Sequence, residues 1–246
     1  MQYNFDKIID RHNTGAYATE MLGEVHGRTD LTPMWVADMN FETPAFITDA
    51  LRNRLDHSLF GYTVIPKDFW PTVTHWIRNH PQWDVKAEWM RYIPGIVKGI
   101  GFVINVFCKE DEKVIIQPPV YHPFRLTPLG NKRQVVMNPM HRNDDGTYSM
   151  DFDNLAKVAD EKCRVLILAN PHNPAGIVWD VETLKRLAHF CCERNIIVIS
   201  DEIHCDMALF RNKHHPFANV SEEAARDSIT FRAPSKTFTI AAIDSS

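Results

Sequence analysis

RVLILANPHNPAGIVWDVETLKRLAHFCCERNIIVISD, residues 164–201, is the stretch that decides the fold class of this chain. The runs at 164–169 and 196–200 are almost continuously apolar, which is typical of parallel strands buried on both faces of a sheet. Between them, apolar residues recur at helical spacing from 181 to 194. A strand, a helix and a second strand in this order predict a βαβ unit in a parallel sheet.

The same alternation extends over most of the chain. Short β-branched or apolar runs predict further strands at residues 113–116, 135–137 and 228–231, and amphipathic spacing predicts helices at 45–56, 68–80 and 96–107. We therefore predict an α/β fold, with a doubly wound, mostly parallel sheet that carries helices on both faces.

The composition is typical of a soluble globular protein. Of 246 residues, 44% are hydrophobic and 24% are charged, and 27 Lys and Arg against 31 Asp and Glu give a net charge of −4. This length and composition exclude collagen, disordered chains and small disulfide-stapled folds. The charges form no basic stripe, and no run approaches the ~18 apolar residues of a membrane span, so neither nucleic acid nor a membrane is an expected partner. Small molecules or proteins are the expected partners.

The five cysteines indicate reduced thiols, because their number is odd and they form no C-x-x-C pair. The start of the chain also lacks a basic segment followed by an apolar one, so we expect a cytoplasmic protein. His204, Cys205, His214 and His215 concentrate possible metal ligands, but their spacing matches no zinc motif. No metal site is therefore expected.

Polar groups follow three of the predicted strands at the points where the strands end. They are NPHNPAG at 170–176, Asp201 with Glu202, and Ser235 with Lys236. Because ligands of an open parallel sheet bind outside the carboxyl ends of its strands, we expect an amide, a carboxylate and a lysine to converge there. Each feature alone has an ordinary explanation as a turn, a cap or a surface lysine. Their joint placement favours a site.

A lysine and a buried carboxylate are needed together in pyridoxal phosphate (PLP) catalysis. The lysine forms a Schiff base, and the carboxylate keeps the pyridine nitrogen protonated so that the ring accepts electrons. The phosphate could be bound by backbone N–H groups of Gly95, Ile96 and Val97 at a helix start. The run GIVKGIG at 95–101 matches neither a dinucleotide motif nor a P-loop. Tyr121 is either an aromatic platform for the ring or a core tyrosine beside a proline turn.

Motifs over essentially the whole chain resemble those of the fold type I PLP-dependent enzymes. They include NPHNPAG at 170–176, SDEIH at 200–204 and APSKTF at 233–238. The closest resemblance is to the MalY/PatB-type cystathionine β-lyases, often labelled aminotransferases, which PMWVADM at 33–39, QPPVY at 117–121 and HRNDDG at 141–146 support. The resemblance implies α,β-elimination, in which a carbanion at the substrate Cα expels the sulfur of cystathionine or a cysteine S-conjugate and leaves pyruvate and ammonia.

The resemblance also implies roles for residues around the cofactor ring. Lys236 would be the Schiff-base lysine and the proton carrier at the substrate Cα. Asp201 would pair with the pyridine nitrogen, and Asn173 would donate to the phenolate oxygen with His204 nearby. Tyr121 would stack on the ring.

A second implied group surrounds the phosphate of the cofactor. Gly95, Ile96, Val97 and Ser235 would bind it within one subunit. Tyr62 is similar to the tyrosine that these enzymes send into the phosphate site of the neighbouring subunit, so the resemblance implies a homodimer.

The resemblance implies a domain organisation as well. Residues 1–44 would be an N-terminal arm, a segment of a small domain, and residues 45–246 would be the PLP-binding large domain, incomplete at its C-terminal end. Relatives continue through a C-terminal domain that supplies the arginine for the substrate carboxylate. We therefore expect a C-terminally truncated chain in which the fold and cofactor binding survive better than turnover. Four residues depart from the family pattern. Asn40 replaces an Asp, Thr239 replaces an Asn, and Ala242 and Asp244 replace a Gly and an apolar residue.

Two other functions remain open at this point. An amino-acid aminotransferase would use the same Lys236, Asp201 and Asn173 but return the amine to a keto acid. A non-catalytic binding or regulatory protein would keep the dimer surface, with or without the cofactor, and would not turn over a substrate.

Overall fold

The computed structural model describes residues 3–243, which form two compact units. One unit comprises the chain up to Thr63 together with Ser235–Ile243, and the other is Val64–Pro234. The division into 1–44 and 45–246 stays a prediction about domains. The departure at Asp244 lies outside the described residues.

A parallel sheet forms the centre of the unit Val64–Pro234. The strands of this unit are β1 (Lys113–Ile116), β2 (Gln134–Met137), β3 (His141–Arg142), β4 (Tyr148–Ser149), β5 (Cys163–Ala169), β6 (Ile197–Asp201) and β7 (Ser228–Phe231). Five of them lie in the order β2-β1-β5-β6-β7, and every neighbouring pair is parallel. β3 and β4 form a separate antiparallel pair. The predicted α/β fold with a mostly parallel sheet is therefore confirmed.

The helices agree closely with the amphipathic segments of the sequence. They are α1 (Tyr17–Glu20), α2 (Leu22–His26), α3 (Ala45–Asp56), α4 (Phe69–Asn79), α5 (Ile96–Phe107), α6 (Pro123–Gly130), α7 (Phe152–Val158), α8 (Val181–Glu193) and α9 (Glu222–Arg226). The four predicted helices, α3, α4, α5 and α8, are found within one residue of the expected ends. Across residues 3–243, every helix is too short or too polar to span a bilayer.

The central strands β1, β5 and β6 are mainly apolar because both faces of the sheet are covered there. Alternate strand residues enter two different hydrophobic clusters, since successive side chains of a strand point to opposite faces. One cluster joins Leu166 and Leu168 to Leu184 of α8, and the other joins Val165 and Ile167 to residues of α5. Helices on both faces are what the doubly wound prediction requires.

The strand order creates a switch point between β1 and β5. The chain passes from β1 to β2 in one direction, whereas β5, β6 and β7 extend in the other. Ligands of such sheets bind at the carboxyl ends of the strands beside the switch point. Ala169 pairs with Asp201, and Asp201 pairs with Phe231, so β5, β6 and β7 end side by side at this edge.

Candidate cofactor site

Tyr121 and Asn173 meet at the switch point. The backbone N–H of Tyr121, in the loop after β1, donates to the carbonyl oxygen of Asn173, in the loop after β5, at 3.2 Å. The Tyr121 ring packs at steep angles against His122 and Phe124, with ring centroids 5.2 and 6.0 Å away, and it stays 37% exposed. A ring that is fixed in this way but partly exposed can stack on a flat ligand.

Asp201 lies beside these loops at the end of β6. It is only 8% exposed, and its Oδ1 accepts the backbone N–H of Ile203 at 3.1 Å. Burial raises the pKa of the Tyr121 phenol, and the negative charge of Asp201 raises it further. The carboxylate is therefore close enough to Tyr121 for electrostatic interaction, and the structure brings Tyr121, Asn173 and Asp201 together.

His204 follows Asp201 by three residues and lies half-buried at the start of a short 3₁₀ turn. Two contacts hold this turn in place. The Arg232 guanidinium donates to Cys205 Sγ, and Trp76 Nε1 donates to Asp206 Oδ2 at 3.2 Å. The position of His204 is thus set by residues of α4 and of the segment after β7.

The predicted phosphate-binding segment begins α5. Gly95 precedes the helix with φ +101°, a conformation that side-chain-bearing residues rarely adopt, and a Cβ built there would meet no atom within 4 Å. The first helical residues are Ile96, which is buried, and Val97, which is 39% exposed. N–H groups at a helix start beside open space are suited to an anion.

Three predicted site residues lie in the unit that contains the N-terminal segment. Lys236 Nζ donates to the carbonyl oxygen of Ala37 at 2.7 Å. The backbone oxygen of Ser235 accepts the N–H of Ile240 at 3.0 Å, and Tyr62 is fully exposed. The other seven predicted residues lie in Val64–Pro234.

An ion pair lies beside the carbonyl group that Lys236 contacts in this unit. Arg11 Nη1 and Nη2 donate to Oδ1 and Oδ2 of Asp38, next to Ala37, at 3.0 and 2.7 Å. Arg11 Nη1 also donates to Asn40 Oδ1 at 3.2 Å. The Arg11 guanidinium lowers the pKa of Asp38, and Lys236 lowers it further. Asn40, which departs from the family pattern, thus still accepts a hydrogen bond from Arg11.

A group of buried polar residues lies at the same edge of the sheet, and sequence reasoning gives none of them a role of its own: Gln117, Asn170, His172, Glu202 and His214. Glu202 is fully buried and is bonded to His214 Nε2 at 2.9 Å. A usable signal existed for Glu202, because a second acid directly after a buried strand is unusual. His214 stands out in the sequence only as a possible metal ligand, and nothing in the sequence pairs it with Glu202.

Metal ligands do not cluster in the described part of the chain. No group of three or more His, Cys, Asp or Glu residues there could hold a metal ion. All five cysteines are unpaired, and four are buried. Burial raises the pKa of the Cys163 thiol to about 11 and that of Cys205 to about 12.

Comparison with known proteins identifies the family. The family model "Aminotransferase class I and II" matches residues 33–243. This chain belongs to the aminotransferase class I and II family. Within the family, it is 42% identical over 244 residues to cystathionine beta-lyase PatB of Bacillus subtilis. The alignment covers 99% of this chain and 63% of PatB. The resemblance to the MalY/PatB branch is thereby confirmed.

Solved structures of this family share the fold closely. Cystalysin from Treponema denticola, which contains a pyridoxal 5'-phosphate cofactor, matches with a TM-score of 0.93 at 31% identity, over 100% of this chain and 63% of cystalysin. The PLP-bound C-S lyase from Staphylococcus hominis matches with a TM-score of 0.90 at 36% identity, over 99% and 62% of the two chains. The chain thus spans less than two thirds of the length of these relatives.

Proposed function

We propose that this chain binds pyridoxal 5'-phosphate and carries the cofactor-binding part of a carbon-sulfur lyase of the cystathionine β-lyase type. The relatives named above are a cystathionine β-lyase and a C-S lyase. The observation that carries the proposal is the meeting of Tyr121, Asn173 and Asp201 at the switch point.

The residues present fit the chemical groups of PLP. A flat pyridine ring needs an aromatic face, which Tyr121 offers, and its nitrogen needs a carboxylate, which Asp201 offers from a buried strand end. Asn173 provides an amide donor for the phenolate oxygen. The open space and the positive φ at Gly95 suit a phosphate approached closely by backbone.

Each residue then has a defined task. Bound PLP would supply an electron sink that stabilises negative charge at the substrate Cα. Asp201 would keep the ring nitrogen protonated, and Asn173, with His204 nearby, would hold the phenolate side of the ring. Lys236 would hold the cofactor covalently through Nζ and move the proton at the substrate Cα.

The phosphate would be bound by a second set of residues. Backbone N–H groups of Ile96 and Val97 after Gly95 would donate to it, with Ser235 adding a hydroxyl. Tyr62 would reach the phosphate of a second subunit. Its complete exposure supports a role outside its own unit.

The test combines cofactor binding and turnover. The purified chain is expected to develop a visible absorbance band with PLP, and its turnover of cystathionine, expected to be weaker than that of the longer relatives, should release pyruvate without a keto acid. Lys236→Ala should abolish both signals, whereas exposed Lys67→Ala should leave both unchanged. A wild-type chain without the band would contradict the proposal, and a band without pyruvate would restrict it to cofactor binding.

A second candidate is an amino-acid aminotransferase. The family model that matches residues 33–243 describes aminotransferases, which supports this alternative. Product formation that depends strictly on an added keto acid, with no pyruvate or thiol released in its absence, would favour it over the lyase.

We also propose a cytoplasmic homodimer that acts on a small amino-acid substrate. The five unpaired thiols support a reducing compartment. The exposed side chains of α3 support the dimer, because this helix buries no residue within its unit and exposes Leu51 and Leu55 on one face and Phe46 on another. Light scattering at micromolar concentration should give twice the chain mass, and a monomer would contradict the dimer.

A further inference from the structure

Glu202 is a fully buried carboxylate that is anchored through both of its oxygens. Its exposed fraction is zero. Oε1 accepts the Ser200 hydroxyl at 3.0 Å and the Phe217 backbone N–H at 2.8 Å, and Oε2 is bonded to His214 Nε2 at 2.9 Å. The Asn170 amide nitrogen lies 3.5 Å from Oε1. Buried carboxylates of this kind are costly unless they are bonded, so these donors are part of what keeps the residue in place.

These bonds join Glu202 to the chain segments that end at the candidate site. Asn170, the first residue after β5, donates its side-chain amide to the His215 carbonyl at 2.9 Å and its backbone N–H to the Asp201 carbonyl at 2.9 Å. The Glu202 backbone N–H donates to the Phe231 carbonyl at 2.8 Å. The ends of β5, β6 and β7 and the segment 214–217 therefore meet at one buried carboxylate.

The second nitrogen of His214 indicates how this pair is protonated. Nδ1 is buried, and it has no hydrogen-bond partner among residues 3–243. A proton on Nδ1 would be a buried donor without an acceptor, so the neutral tautomer with the proton on Nε2 is favoured. His214 then donates to Glu202 Oε2. The Glu202 carboxyl is also close enough to the Arg232 guanidinium for electrostatic interaction.

We propose that Glu202 is a positioning residue that fixes the Asp201 carboxylate for the cofactor. The inference rests on the proposed function. Asp201 and Glu202 are consecutive, and Asp201 Oδ1 accepts the N–H of Ile203, so the segment 201–203 moves as a unit with the Glu202 anchor. Without that anchor, the turn after β6 is less well defined, and the Asp201 carboxylate loses its fixed position.

The decisive variant is Glu202→Gln, which keeps the shape but replaces one oxygen with an NH₂ group. In one orientation this group faces His214 Nε2–H, and in the other it faces the donors of Ser200 and Phe217. We expect PLP to bind about tenfold more weakly, the size of effect that losing one charge-assisted hydrogen bond produces. The pH at which the visible band of the bound cofactor changes should also shift. This band reports protonation of the Schiff-base nitrogen, which depends on the charge of the pyridine nitrogen that Asp201 would face. Exposed Glu161→Gln is the matched control and should behave as wild type.

Variants of His214 provide an independent test. His214→Gln keeps an N–H donor for Glu202 and should retain near wild-type PLP binding and spectrum. His214→Leu removes the donor and should resemble Glu202→Gln. If Glu202→Gln does not fold, this pair of variants decides the question alone.

The outcomes separate a positioning role from a structural one. The proposal is supported if Glu202→Gln binds PLP more weakly and shows a shifted spectral transition while His214→Gln behaves as wild type. Lower unfolding free energy with unchanged PLP affinity and unchanged spectrum overturns it, as does His214→Leu with a wild-type spectrum. A wild-type chain that forms no band overturns the proposed function, and this inference with it.

Discussion

Gly99 fixes the position of the helix that would bind the phosphate. It lies in α5, which packs on the sheet, and a Cβ added there would overlap Ile93 Cδ1 and lie 2.7 and 3.0 Å from Phe231 Cε1 and Cζ. Phe231 is the last residue of β7 and is only 8% exposed, so its ring has little room to move. Gly101, two residues further along α5, differs sharply, because its Cβ would lie 3.6 Å from its nearest neighbours.

These distances predict opposite effects for the same substitution. Alanine in a helix interior is favoured over glycine by about 0.8–1 kcal/mol. At Gly101 that gain is retained, and Gly101→Ala should stabilise the chain by about 0.5–1 kcal/mol. At Gly99 the overlap costs about 1–3 kcal/mol and exceeds the gain, so Gly99→Ala should destabilise the chain by about 1–2 kcal/mol.

Urea unfolding followed by circular dichroism measures both effects. The two variants should differ by about 1.5–3 kcal/mol, with the wild type between them. Gly99→Ala should also weaken PLP binding, because α5 must move away from β7. Equal stabilisation by the two alanines would refute the packing argument, since only helix propensity would then remain.

Three further predictions concern pH, helix capping and thiol reactivity. Burial lowers the pKa of His172 to about 4, so the unfolded chain takes up this proton first as the pH falls. Between pH 6.5 and 5, wild type should lose about 1.5 kcal/mol of unfolding free energy that His172→Phe does not lose, and equal losses in urea titrations would contradict this. Asp180 caps α8 by accepting the Thr183 N–H at 2.8 Å, so Asp180→Ala should cost about 1 kcal/mol and lower the melting temperature, and an unchanged melting temperature would count against the cap. Cys192 is the one thiol of the five that is not buried, so the native chain should react rapidly with one equivalent of Ellman's reagent, and two or more fast equivalents would be inconsistent with the burial.

Regular elements of the central sheet are predictable because their pattern is local. The apolar run at 164–169 predicts β5, which the structure extends by one residue to Cys163. The short pair β3 and β4 is missed because two-residue strands have no periodicity to detect. α6 is missed because Pro128 lies inside it, and proline normally argues against a helix interior.

The candidate site likewise contains residues that a local sequence pattern predicts and contacts that only tertiary packing creates. Asp201 and the loop containing Asn173 are predictable because each directly follows an apolar strand, and parallel strands end at one edge. The strand order that brings Tyr121 beside Asn173 depends on tertiary packing, and no local pattern encodes it. The bond between Glu202 and His214 joins residues 12 positions apart across a loop, so it is visible only in three dimensions.

The attachment of the cofactor to Lys236 is the central claim, and one measurement tests it most directly. The chain is incubated with PLP, reduced with sodium borohydride, digested and mapped by mass spectrometry. Reduction makes the bond between the cofactor and the lysine amine permanent, so the labelled peptide identifies the residue. We predict stoichiometric labelling of Lys236 in the wild-type chain and no labelling of that peptide in the Lys236→Ala variant. Labelling spread over exposed lysines, or its absence from Lys236, would contradict the account.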